Sequence, residues 1–305
     1  TNGGNVIEGN EIDGGGLPYG IIQRDYFENT AKPSIIKGNI IKNVINGITI
    51  DFNKTSLNVE IIVNGNTYEN VENPLHLNTV TVFARLNMLK KELIITTHGA
   101  ENASKADIVI QNGDEHRFLQ DAFNALMNFE EIIFLNGDFK LNSELVLRRK
   151  LNLINKNSEF TCVDVSNDNT AFISIRHEGV EARGLKIKNT SSKSGLIGLE
   201  LREADTSKLI SNDVEGFTIN YRVRDSRNTH VNKNISRNSS ANSFYVGGVG
   251  GTVRHTILSE NIVETAASGK AIRLGTQSNR TLVYGNILNG ADIVDEGTNN
   301  NIANN

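Results

Sequence analysis

The chain has no tryptophan, two methionines, three prolines and one cysteine in 305 residues. A single cysteine, Cys162, excludes an intrachain disulfide framework and a cysteine-based zinc site. It leaves a life outside the cell open, because a secreted protein can lack disulfides. Charge of one sign is lacking too: 31 Lys and Arg stand against 35 Asp and Glu, a net charge of −4. Nothing in that balance requires nucleic acid or an anionic membrane as partner. No apolar run approaches the roughly 20 residues of a membrane span. No start methionine or signal-peptide pattern opens the sequence. A processed N-terminus or a fragment of a longer chain is expected, the fragment preferred, because the repeat described next is under way at Asn5.

What is abundant is asparagine, 43 residues, and isoleucine, 33 residues. Asparagine alone would suit disorder. So many β-branched apolar residues beside it indicate an ordered, strand-rich protein with many tight corners.

A phrase recurs: two or three β-branched residues, then Gly-Asn or a polar-Asn pair, then another apolar residue. It reads Val6-Ile7-Glu8-Gly9-Asn10, then Ile35-Ile36-Lys37-Gly38-Asn39, then Ile61-Ile62-Val63-Asn64-Gly65-Asn66. The anchors Asn10, Asn39 and Asn66 are 29 and 27 residues apart. Further copies centre on Asn189, Asp213, Asn234, Asn261 and Asn286, at spacings of 24, 21, 27 and 25. A period in the twenties, carried by short strands, predicts a β-solenoid. Asn and Gly tolerate the left-handed backbone that sharp corners need, and stacked corner asparagines can form amide ladders. A set of unrelated hairpins is the weaker alternative, because hairpins have no reason for a fixed long period.

One segment breaks the pattern. Asp114 to Asn128 places Phe118, Leu119, Ala122, Phe123 and Leu126 on one stripe, which predicts a helix with Asp114 as its N-cap. A solenoid exposes core and strand edges at its open end, and an amphipathic helix can plug it. A boundary is therefore placed in the polar stretch near 99–113: residues 1–98 as terminal coils of one stack, 99–305 as a second stack with its own cap.

The helix, then Glu131-Ile132-Ile133-Phe134-Leu135-Asn136-Gly137-Asp138-Phe139-Lys140-Leu141, then Asn-rich coils, resembles the entry to pectate-lyase-like right-handed parallel β-helices. Bacteriophage tailspikes and pre-neck appendage proteins share that entry. Asn136-Gly137-Asp138-Phe139 stands where the family has a Pro-Gly-type turn and an aromatic residue, here without proline. The likeness covers roughly 99–305, and reaches 1–98 only through coil periodicity. It implies fold more than function, because this fold hosts lyases, hydrolases, epimerases and silent adhesins. The sequence lacks the Asn-Thr-Asp, Gly-His-Gly and Arg-Ile-Lys of polygalacturonases. It also lacks the Arg-Pro-x-x-Arg of pectate lyases and the Asp-Pro-His-Asp of alginate epimerases.

A β-helix binds long ligands on outward strand positions, stacked about 4.8 Å apart. One strand aligns through five coils: Leu199-Glu200-Leu201, Tyr221-Arg222-Val223, Phe244-Tyr245-Val246, Ile272-Arg273-Leu274 and Ala291-Asp292-Ile293. The flanking residues should face inward, which makes Glu200, Arg222, Tyr245, Arg273 and Asp292 an outward row. Arg202 and Glu203, Arg224 and Asp225, and Gly247 and Gly248 lie just beyond it. Carboxylates and guanidinium groups suit sugar hydroxyls and acidic substituents, and Tyr245 offers a ring for a sugar face. The expected substrate-binding residues are thus Glu200, Arg202, Arg222, Arg224, Tyr245, Arg273 and Asp292. Glu203 and Asp225, at matching places on adjacent coils, are the candidate catalytic pair, near the roughly 5–5.5 Å spacing of retaining glycosidases. The bland alternative is that Glu200–Arg222 and Arg224–Asp225 are structural ion pairs.

Two weaker groupings exist. Arg24, Asp51 and Asn78 align in one column, Thr49 and His76 in another. Arg176-His177-Glu178 is expected on a loop. Scattered Asp107, Asp114, Asp164 and Asp168 lack calcium-loop spacing, so no metal and no cofactor are expected. The expected function is a phage-type or secreted polysaccharide depolymerase, hydrolase or lyase, acting on capsular or cell-wall glycan. It would work extracellularly or on a virion surface, with neither nucleic acid nor membrane as partner, and a homotrimer is the assembly such a fibre would allow. The alternative is a non-catalytic receptor-binding or structural fibre.

Overall fold

The computed structural model describes residues 6–24, 34–51, 61–77, 86–87, 91–101, 103–110, 113, 115–124, 129–163, 170–248, 251–264 and 270–305. Among them the chain is all-β with one short α-helix, and it divides into two compact units, Thr1–Gly137 and Asp138–Asn305. The sequence reading sets its boundary near residue 98; the strand Glu92–Thr97 and the helix share the first unit.

In the second unit every third strand returns to the same sheet as far as Asn242–Val246, after which a short extra pair, Val253–Arg254 with Ser278–Asn279, interrupts the order. One sheet runs Asp138–Leu141, Glu159–Cys162, Lys186–Asn189, Asp213–Glu215, Ile235–Arg237, Ile262–Val263. Another, the site sheet below, runs Leu145–Leu147, Ala171–Ile175, Ile197–Arg202, Ile219–Arg224, Asn242–Val246, Lys270–Leu274, Asp292–Asp295. The third takes Asn152–Lys156, Glu181–Arg183, Lys208–Ile210, His230–Asn232, Ile257–Ser259, Leu282–Tyr284 and Asn301–Ala303. Neighbouring strands are parallel throughout, an arrangement consistent with a β-solenoid. Strands this short cannot bury a face alone, so each depends on its neighbours one repeat away. The core is built by stacking like on like: Phe139 on Phe160 with ring centroids 5.0 Å apart, Tyr221 on Phe244 at 4.7 Å.

The first unit uses the same parallel pairing. Val6–Glu8, Ser34–Lys37, Ile61–Asn64 and Leu86–Asn87 form one sheet. Glu11–Asp13 and Tyr19–Arg24 both pair with Ile40–Asp51, which also pairs with Thr67–Leu77. The helix spans Glu115–Asn124, with Phe118, Leu119, Ala122 and Phe123 buried. The expected N-cap Asp114 and the stripe residue Leu126 lie outside the described residues.

The recurring Gly-Asn pair has a division of labour. Its first residue adopts left-handed backbone, φ 66° at Gly9, 63° at Gly38 and 61° at Gly65. Its asparagine then stacks: Asn10 and Asn39 each donate a side-chain N–H to the Oδ1 of the next, Asn39 and Asn66, at 3.0 and 2.9 Å. In the second unit the ladder runs Asn212, Asn234, Asn261, Asn286 and Asn305, with amide contacts of 2.8–3.0 Å. This corrects the anchors read from sequence. Asn212, not Asp213, is the ladder member, because Ser211 takes the left-handed corner before it (φ 53°). Asn189 stands outside the ladder and donates to the Gly216 carbonyl.

Candidate functional site

The site sheet alternates as a pleated strand must. Leu199, Leu201, Tyr221, Val223, Phe244, Val246, Ile272 and Leu274 are buried. Tyr221 shares its hydroxyl between the carbonyls of Asn212 and Ile235, and burial holds it well above its ordinary pKa. The positions between them pair in succession: Ser174 with Glu200, Glu200 with Arg222, Arg222 with Tyr245, Tyr245 with Arg273. Asp292 does not join this row. The last pairing shifts register between Lys270 and Ile272, so Asp292 stands opposite Lys270 and Val294 opposite Arg273. The alignment from sequence is two residues out of register on the last strand: Val294 takes the place it gave to Asp292, and regular counting back would still leave Asp292 opposite Ala271.

Glu200 also differs from an open groove residue, being 1% exposed. It accepts from Arg222 Nε at 2.6 Å and from Ser174 Oγ at 3.1 Å. Ser174 in turn accepts from Arg176 Nε at 2.9 Å, and Arg176 pairs with Glu144 at 2.7 Å. The charges of this stretch are spent on one another. Arg273 is likewise paired, to Glu296 at 2.9 Å.

The chemistry collects where two strands end. Arg202 pairs with Arg224, and the residue after each, Glu203 and Asp225, takes left-handed backbone at φ 52° and 50°. The same backbone recurs at other corners, Ser211, Lys233 and Glu260 among them, so here it marks the turn of the repeat. The Glu203 amide donates to the Arg224 carbonyl at 3.1 Å, which holds one turn over the other. Asp225 Oδ2 accepts from Arg224 Nε at 2.9 Å, and its side chain is 17% exposed. Its Oδ1 is buried without a hydrogen-bond partner, against Gly251, where a Cβ would come within 2.0 Å of it. Glu203 is the opposite, 68% exposed, with Oε1 3.7 Å from Arg202 Nε.

Both residues line one cleft of about 530 Å3, together with Arg176, His177, Glu178, Asp205 and Arg227. The segment Arg176-His177-Glu178, set aside as a loop by the sequence reading, therefore belongs to the site. Asp205 and Arg227 were missed there. Their signal was phase: each follows a candidate carboxylate by two residues, in Glu203-Ala204-Asp205 and Asp225-Ser226-Arg227. The Arg227 amide donates to Asp205 Oδ1 at 2.8 Å. His177 Nδ1 donates to the Glu178 carbonyl at 2.8 Å, which leaves Nε2 of the neutral ring as an acceptor.

In the first unit the expected columns exist in the backbone register: Arg24 opposite Asp51, Thr49 opposite His76. Asn78 lies outside the described residues. Thr49 is 2% exposed, which closes that position to a ligand. Among the described residues no three His, Cys, Asp or Glu side chains are grouped to hold a metal ion.

No protein-family model, no curated protein and no solved structure matches this chain.

Proposed function

We propose that the second unit winds as a right-handed parallel β-helix of the pectate-lyase-like type found in phage tailspikes, and that it binds and cleaves a polysaccharide with Glu203 and Asp225. The observation that carries this reading is their meeting in one cleft from equivalent positions of adjacent repeats. Adjacent parallel strands lie about 4.8 Å apart, which suits the close carboxylates of a retaining glycosidase. Asp225, held by Arg224, is placed as nucleophile. Glu203, the more exposed of the two, protonates the departing glycosidic oxygen as Asp225 bonds to the anomeric carbon. Glu203 then takes a proton from the water that displaces Asp225.

Such an enzyme acts on capsular or cell-wall glycan, at a virion surface or outside a cell, and assembly as a homotrimer belongs to the same reading. A second reading, a receptor-binding fibre without turnover, is favoured by the closed pairs Glu200–Arg222 and Arg224–Asp225. Release of reducing ends from a panel of bacterial polysaccharides separates the two. Wild type should release them, and Glu203→Gln and Asp225→Asn should each lose about 100-fold or more while still binding. Binding without release by wild type supports the fibre. Products absorbing as unsaturated sugars would replace hydrolysis by elimination, with His177 Nε2 as the base.

A further inference from the structure

Tyr245 belongs to the outward row, yet its side chain does not stand off the sheet as an outward strand residue ordinarily does. A Cβ on Gly275 would lie 2.8 Å from the Tyr245 hydroxyl oxygen, and one on Gly247 would lie 3.0 Å from it. Gly247 is two residues along the same chain, and Gly275 is two residues past Arg273, the register partner of Tyr245. The ring therefore reaches forward along the sheet, its hydroxyl end seated where two glycines leave room. The Arg273 guanidinium carbon is 5.8 Å from the ring centroid. The seat adjoins the cleft: a Cβ on Gly248, next to Gly247, would lie 2.8 Å from Asp225 Oδ1.

The charges around the ring are committed. Arg222 holds Glu200, Arg224 holds Asp225 and Arg273 holds Glu296. An anionic substituent placed on the ring would meet these paired carboxylates and no unspent cation among them. A flat aromatic ring beside neutralised charges suits the apolar face of an uncharged sugar.

We propose that Tyr245, seated on Gly247 and Gly275, is a stacking subsite for a neutral pyranose unit of a linear polysaccharide, next to the cleft at Asp225. This rests on the glycan-binding reading above and narrows its substrate class. Tyr245 lies one strand beyond Asp225 and two beyond Glu203, so a chain that reaches from Glu203 to the ring crosses two strand spacings, about 10 Å. Short oligosaccharides therefore bind in the cleft alone, and longer ones gain from the ring.

The test is calorimetry with size-graded oligosaccharides of neutral linear polysaccharides and of uronic-acid polymers. It uses wild type, Tyr245→Ala, Tyr245→Phe and Gly275→Ala. The longer neutral oligosaccharides should bind wild type tightest and independently of salt. Tyr245→Ala should weaken them about tenfold, the scale of one aromatic contact, and leave the shortest unaffected. Gly275→Ala should do the same with the tyrosine still present, because it evicts the hydroxyl end. Tyr245→Phe should bind as wild type does. Circular dichroism confirms that each variant is folded, and Tyr245→Ala, at an outward position, carries the test if Gly275→Ala is not. Neutral glycan bound equally by wild type and Tyr245→Ala overturns the subsite and leaves the function reading standing. Tightest binding to the uronic-acid polymers, lost with added salt, overturns the neutral class. No binding to any glycan overturns both.

Discussion

Glu200 and Glu203 sit in one short segment and end in opposite states, 1% and 68% exposed. Strand parity puts Glu200 on the outer face, and this much is readable along the sequence. Its burial is not, because the cover comes from Ser174 and Arg222, 26 and 22 residues away. Removing one partner of a buried pair leaves the other charge uncompensated. Glu200→Ala should therefore cost about 3 kcal/mol in urea unfolding, whereas Glu203→Ala should stay within about 0.5 kcal/mol. Equal effects would mean that Glu200 is not held as described. The candidate pair Glu203 and Asp225 was legible as a 22-residue phase match. What their side chains do was not: one is buried against Gly251 and Arg224, the other is left in solvent.

At the scale of elements the corner asparagines dominate. Asn261 accepts the Asn234 backbone N–H at 2.9 Å and donates to Asn286 Oδ1 and the Val231 carbonyl, both at 2.9 Å. It is 1% exposed, so a truncated side chain strands several buried polar groups at once. Asn261→Ala should lower stability by about 3 kcal/mol, and Asn289→Ala, outside the ladder, by about 1 kcal/mol or less; thermal and urea melts check the contrast. The ladder was visible in sequence as Gly-Asn and polar-Asn pairs. Membership was decided by backbone, since the asparagine that stacks is the one following a left-handed residue. The same local dependence explains Asp292. Val294 pairs with Arg273 in its place, a register that hydrogen bonding between the last two strands sets and that residue spacing does not reveal.

At the scale of the whole molecule, the second unit is a succession of strands, each bonded to its counterparts one repeat before and after. Stability in such a chain is nearly a sum over neighbouring repeats, so opening should be local and easiest where burial is least. Hydrogen exchange should be slowest at the amides of Val223 and Phe244 and fastest at Ile302, whose residue is 41% exposed. Uniform protection would contradict this. The sequence by itself determined the strand-rich class, the period in the twenties, the inward and outward parity of the strands, and the glycine–asparagine corners. These are local preferences repeated in phase, and they need no knowledge of the neighbouring repeat. Only the tertiary structure decided which outward residues are buried, that Arg176-His177-Glu178, Asp205 and Arg227 join the carboxylates in one cleft, and that Tyr245 lies along the sheet. Each of these depends on side chains from different repeats meeting in space, and a one-dimensional pattern does not encode where they meet.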